Sequence, residues 1–125
     1  MNSSPVVSET FSRDDRLRKR REFEECYASG VRVSGRHIQL FLLAQNSPGR
    51  TRLGISVPRR VGTAVERNRV RRRLREIFRR NRGLLAAEAA LLVVNARPSA
   101  AAASFQELSE DYGRALRRAT ARPPR

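Results

Sequence analysis

The chain has 125 residues, with 27 basic against 12 acidic side chains and a formal net charge of +15. Lys19 is the only lysine, so 26 of the 27 cations are arginine, the side chain that pairs bidentately with phosphate and stacks on bases. With 39% hydrophobic residues, one cysteine and no apolar stretch of membrane-spanning length, the composition excludes a purely disordered basic tail, an intrachain disulfide and a transmembrane helix, and it points to a single cytoplasmic domain with a polyanionic partner.

Residues 1–15 are polar, carry acids and lack an apolar signal core, so they are expected to form a disordered extension. Residues 120–125 are expected to form a disordered tail, which leaves 16–119 as the domain. Leu17, Phe23, Cys26 and Tyr27 fit one face of a short helix that stops at Gly30, a favourable residue for a left-handed cap. Val31 to Gly35 reads as a short strand. From His37 to Leu43, Ile38, Leu40 and Leu42 alternate with Gln39, Phe41 and Leu43, which predicts a longer strand. Asn46 to Arg50 (NSPGR) is a turn cluster. Arg52 to Val57 is the next strand, with Leu53, Ile55 and Val57 on one side. Gly54 and Ser56 lie on the other, where so little side-chain bulk lets something else approach the sheet.

A helix is predicted from about Thr63 or Ala64. Nine of the sixteen residues from Arg67 to Arg82 are arginine, yet Val70, Leu74, Ile77 and Phe78 recur at helical spacing. One face can dock on a core while the arginines crowd the rest. Such a concentration of like charge repels itself and calls for a polyanion to neutralise it. Ala90 to Ala96 (ALLVVNA) reads as a buried strand ended by Pro98. Ser104 and Glu107 form a capping box before a helix carrying Phe105, Leu108, Tyr112 and Leu116. The order predicts an α+β fold, a single-domain α-β-β-β-α-β-α sandwich with its sheet covered largely on one face.

The run GISVPRRVGTAVERNRVRRRLREIFR closely resembles the signature of the bacterial ribonuclease P protein subunit. The matching residues are Gly54, Ser56, Val57, Arg59, Arg60, Gly62, Ala64, Val65, Arg67, Asn68, Arg69, Arg71, Arg72 and Arg75. RLRKRREFEECYASG resembles the first helix of that family, and ALLVVNARPSA its last strand and exit, so the likeness runs from about Arg16 to Arg118.

The resemblance implies a left-handed crossover through the arginine helix, against the general rule for parallel strands. It also implies two RNA surfaces. The helix, through Arg67, Asn68, Arg69, Arg71, Arg72 and Arg75, would meet the catalytic RNA, and Asn68 could share a metal ion with it. A cleft between the first helix and the open face of the sheet would hold the 5′ leader of precursor tRNA. Phe23, Tyr27 and Phe41 would stack on bases there, Ser56 would help to keep the floor low, and Arg59 and Arg60, with Arg18 and Arg36, would line the rim. Tyr27 stands where phenylalanine is common, and Pro58 where a polar residue is common. The protein would work as a monomer, one to one with the RNA. Hydrolysis would belong to the RNA, with Mg²⁺ bound mainly on RNA phosphates.

The residues themselves suggest no protein-borne catalytic constellation. His37 reads as a strand-surface residue and Cys26 as a small packing residue. Glu22, Glu24 and Glu25 read as solvated surface on the first helix.

Overall fold

The computed structural model describes residues 15–82 and 88–121. The expected extension up to residue 14, and residues 122–125 of the expected tail, lie outside them. The elements are α1 (Arg20–Ser29), β1 (Val31–Ser34), β2 (Ile38–Pro48), β3 (Arg52–Ser56), α2 (Ala64–Arg80), β4 (Glu88–Ala96) and α3 (Phe105–Ala121), in the order the sequence predicts. Short 3₁₀ turns at Arg59–Val61 and Pro98–Ala101 lead into α2 and towards α3.

The four strands form one sheet in the order β1-β2-β4-β3. β2 pairs antiparallel with β1 and β4, and β3 pairs parallel with β4 across the α2 connection. Interior β4 has apolar residues on both faces from Leu91 to Val94 because both are covered. Leu92 and Val94 join Ile38, Leu40 and Leu53 in the main core under α2 and α3. Leu91 and Val93 join Leu17, Cys26 and Phe41 in a smaller cluster under α1. Val70, Leu74, Ile77 and Phe78 are all buried, as their spacing predicts, and so are Leu108, Tyr112 and Leu116. Among the described residues no helix is long and apolar enough to cross a membrane.

Several local expectations need correction. Leu17 precedes α1 rather than belonging to it. Its segment lies along the edge of β3, where Leu17 N–H donates to Leu53 O at 2.8 Å. Gly30 does cap α1, but with extended backbone, φ −75° and ψ 159°. Glycine is required there by crowding, since a Cβ would stand 2.5 Å from Cys26 O and 3.2 Å from Leu42 O. β2 runs on through part of the expected turn cluster to Pro48, with a register shift after Ala44, which is how a ladder absorbs a local irregularity. Order is already present at Asp15, which is fully buried and ion-paired to Arg50 and Arg82 at 3.0 and 2.9 Å. α3 runs two residues into the expected tail, to Ala121.

The acids of α1 are not all solvated. Glu22 forms a two-pronged pair with Arg52 at 3.1 and 2.6 Å, tying the helix to β3. On the other side of the sheet, Asp111 of α3 accepts backbone N–H bonds from Arg36, His37 and Ile38 at 2.9, 2.7 and 3.2 Å. That carboxylate holds the β1–β2 connection against α3.

Candidate nucleic-acid interface

α2 begins with a reciprocal cap. Glu66 N–H donates to Thr63 Oγ1 at 3.1 Å, and Thr63 N–H donates to Glu66 Oε1 at 2.8 Å. Those bonds, from the Thr63 backbone first, hold the Glu66 carboxyl below its ordinary range. The T-x-x-E spacing carries this cap in the sequence, and it fixes where the arginine run starts.

The arginines of α2 then divide among three directions. On the flank towards α3, Arg69 donates to Ala101 O at 3.2 Å and Arg73 to Ala103 O at 3.0 Å. Arg80 lies over the Phe105 ring, 5.3 Å from its centroid. These cations hold the loop before α3 in place. On the outer side, Glu76 takes both Arg79 and Arg80, at 2.5 and 2.7 Å. The two guanidinium bonds, Arg79 first, pull the Glu76 carboxyl down to about 2. Arg72 is exposed and has no hydrogen-bond acceptor among the described residues.

The third direction faces the β3 edge. Arg67 donates to Gly62 O at 3.2 Å, and Arg71 to Asn68 Oδ1 at 2.8 Å. A cavity of about 120 Å³ opens beside them, lined by Arg16, Leu17, Phe23, Leu53, Ile55, Arg71 and Arg75. Burial first, then the charges of Arg16 and Arg71, lowers the pKa of Arg75. An anion in this cavity would relieve that repulsion. Of the six α2 residues named from the sequence, Arg71 and Arg75 thus line the cavity beside β3, while Arg67 binds back to Gly62 O. Asn68 and Arg72 are exposed, and Arg69 is turned towards the protein.

Asn68 is exposed in the first turns of α2. Its side-chain oxygen accepts from the Arg71 guanidinium at 2.8 Å. Among the described residues no three His, Cys, Asp or Glu side chains gather to hold a metal.

The open face of the sheet carries the aromatic residues. Phe23 is half-buried against Gly54, Tyr27 is 40% exposed, and Phe41 lies beneath Tyr27 at 6% exposure. Tyr27 meets Phe41 edge to face at 4.8 Å and Phe23 in a tilted contact at 6.5 Å, both within the range of attractive ring pairs. The bulk missing at Gly54 is therefore supplied by Phe23, while Ser56 stays half-buried on the same face. Arg59 and Arg60 are exposed in the 3₁₀ turn just past β3. Cys26, under the helix, is fully buried, and burial pushes its thiol up to about 11. It is a packing group.

A further feature of this face escapes the sequence reading. The strand register sets Ser34 beside Gln39, Gln39 beside Asn95 and Asn95 beside Ser56, a polar row across all four strands. Tyr27 Oη donates to Asn95 Oδ1 at 3.1 Å. Asn95 sits in an apolar-looking strand, so only knowledge of its neighbours across the sheet reveals the row.

The ribonuclease P family model matches residues 11–120. The ribonuclease P protein component of Acidothermus cellulolyticus is 43% identical over 107 residues, covering 84% of this chain and 88% of its own. That of Shouchella clausii is 33% identical over 112 residues, covering 90% and 91%. The RNase P protein from Thermotoga maritima superposes with a TM-score of 0.73 at 31% identity, covering 82% of this chain and 96% of its own. A Staphylococcus aureus RNase P protein mutant with defective mRNA degradation activity superposes at 0.78 with 25% identity, covering 94% of each chain. Signature, strand order and family match agree over most of the length, and the chain belongs to the ribonuclease P protein family.

Proposed function

We propose that this chain binds the catalytic RNA of ribonuclease P and the single-stranded 5′ leader of precursor tRNA, and thereby assists the cut that frees the mature tRNA 5′ end. The observation that carries this reading is the cavity where Arg71 and Arg75 of α2 meet Phe23 of α1. It joins the arginine helix to the aromatic face, so one strand of RNA can keep its phosphates on guanidinium groups while its bases reach Tyr27 and Phe23. Arginine forks position phosphates, and aromatic faces accept any base at about 1–3 kcal/mol each.

In this reading the hydrolysis belongs to the RNA subunit, and Mg²⁺ sits on RNA phosphates. One protein binds one RNA. The net charge of +15 replaces counterions between two polyanions and so lowers the magnesium requirement.

The test is reconstitution with a bacterial ribonuclease P RNA at low magnesium, using precursor tRNA as substrate. Accurate 5′ cleavage that requires both components is the expected result. Tyr27→Ala should weaken precursor binding and leave mature tRNA binding unchanged. RNA binding without any stimulation of cleavage would overturn the proposal.

A further inference from the structure

Two large hydrophobic side chains stand exposed among the described residues, Tyr27 at 40% and Val65 at 73%. A lone apolar group on a surface carries no meaning by itself. These two divide between the faces read above as RNA surfaces, one on the aromatic face and one in the first turn of α2. The Tyr27 ring has a use there, since a base can stack on it. Val65 can neither stack nor hydrogen-bond, and neither core cluster includes it. Its branched side chain also lowers helix propensity where a polar residue would serve better.

Val65 heads a stripe along α2. Val65, Asn68 and Arg72 are spaced by three and four residues, so they share one side of the helix, and all three are exposed. A guanidinium only donates, so the 2.8 Å bond from Arg71 fixes the Asn68 amide with its oxygen on Arg71 and leaves its N–H groups for another partner. Arg72 has no hydrogen-bond acceptor among the described residues. Glu76, the next residue of the stripe, is occupied by Arg79 and Arg80. From Val65 to Arg72 the stripe is about 10 Å long. It offers, in order, an apolar surface, an N–H donor and a cation.

That set suits the shallow groove of double-helical RNA. The deep, narrow groove of an A-form helix shuts out an α-helix, whereas the wide, shallow one displays ribose and 2′-hydroxyl groups beside phosphate. We infer that Val65 packs on ribose in the shallow groove of a double-helical segment of the catalytic RNA, with Asn68 Nδ2 donating to a 2′-hydroxyl and Arg72 to a phosphate beside it. This rests on the reading of α2 as the surface for that RNA. It adds the form of RNA that the helix takes and a contact that is not electrostatic. Covering the Val65 methyl groups supplies a share of the affinity that salt does not screen, about three- to tenfold.

The full chain is titrated into a bacterial ribonuclease P RNA at a series of salt concentrations. The complex is also probed with hydroxyl radicals, which cut RNA where ribose is open to solvent. Val65→Ala and Val65→Thr both alter an exposed helix position, the second with nearly the same shape, so their urea midpoints should match that of the unaltered chain. Each should bind the RNA about three- to tenfold more weakly at every salt concentration, with the slope of log affinity against log salt unchanged. In the unaltered complex a few paired nucleotides should be protected at ribose, and Val65→Ala should open them. Unchanged affinity, a loss that comes with a changed slope, a lowered urea midpoint, or protection that lies in unpaired loops or survives Val65→Ala would each overturn the inference while leaving RNA binding intact. An unaltered chain that binds ribonuclease P RNA no more tightly than an unrelated folded RNA would bring down the reading of α2 itself, and this inference with it.

Discussion

The ring of Phe23 occupies the space that a side chain at position 54 would need. A Cβ on Gly54 would stand 2.6 and 2.7 Å from two ring carbons of Phe23, and 3.1 Å from a methyl of Leu17. The depth at which α1 rests on the sheet is thus set by a missing side chain in β3. Gly54→Ala should force the ring outward, towards the cavity shared with Arg71 and Arg75. Overpacking of this kind costs about 1–3 kcal/mol, which urea denaturation would measure. Precursor tRNA affinity should fall with it, while mature tRNA affinity holds. Unchanged stability would mean that Phe23 is not wedged there.

Arg69 and Arg72 should behave differently although both belong to the arginine run. Arg69 donates to Ala101 O, whereas Arg72 is exposed and lacks an acceptor among the described residues. Arg72→Ala should reduce the slope of log affinity for ribonuclease P RNA against log salt by about 0.7–0.9, one phosphate contact, with no loss of stability. Arg69→Ala should cost about 1 kcal/mol of stability and leave the slope unchanged. Equal slopes and equal stabilities for the two variants would erase the distinction between a brace and a phosphate contact.

The same pair marks how far the sequence could be read. Period and punctuation located every strand and helix, because Val70, Leu74, Ile77 and Phe78 keep one face and the alternation from Ile38 to Leu43 keeps two. What the sequence could not say is which arginine turns inward. That depends on Ala101 and Ala103, about thirty residues away and brought back only by the fold. The Gly30 cap was legible as a stop but not in its conformation, since crowding by Cys26 and Leu42 decides it. Asn95 reads as part of a buried strand until β2 and β3 place Gln39 and Ser56 beside it.

Glu22 and Arg52 should show a clear pH signature. The hydrogen bonds from Arg52 lower the Glu22 pKa below the ordinary carboxylate value of 4.5, against a smaller opposing effect of burial. A depressed folded pKa adds stability that is fully present above the unfolded value and lost as pH falls through the folded one. Glu22→Gln should therefore cost about 1–2 kcal/mol at neutral pH, with the gap to the unaltered protein closing as pH drops below about 4.5. Urea midpoints across pH 2–7, roughly the carboxylate range and above, would follow it. A gap that stays constant over that range would assign the effect to packing instead of charge.

Asp111 should prove a sensitive acid in the fold. It is 2% exposed and its two oxygens accept three backbone N–H groups, from Arg36, His37 and Ile38. Across the same turn Gly35 N–H pairs with Ile38 O, a bond that uses none of those three donors. Asp111→Asn keeps the volume but replaces one acceptor oxygen with a donor, so at least one buried N–H then faces another N–H. Leaving such groups unpaired costs about 1–3 kcal/mol each. The expected loss is about 2–3 kcal/mol in urea denaturation, with faster amide exchange concentrated at residues 36–38. A variant with native stability and unchanged exchange at those amides would mean that the carboxylate is not what joins α3 to the hairpin.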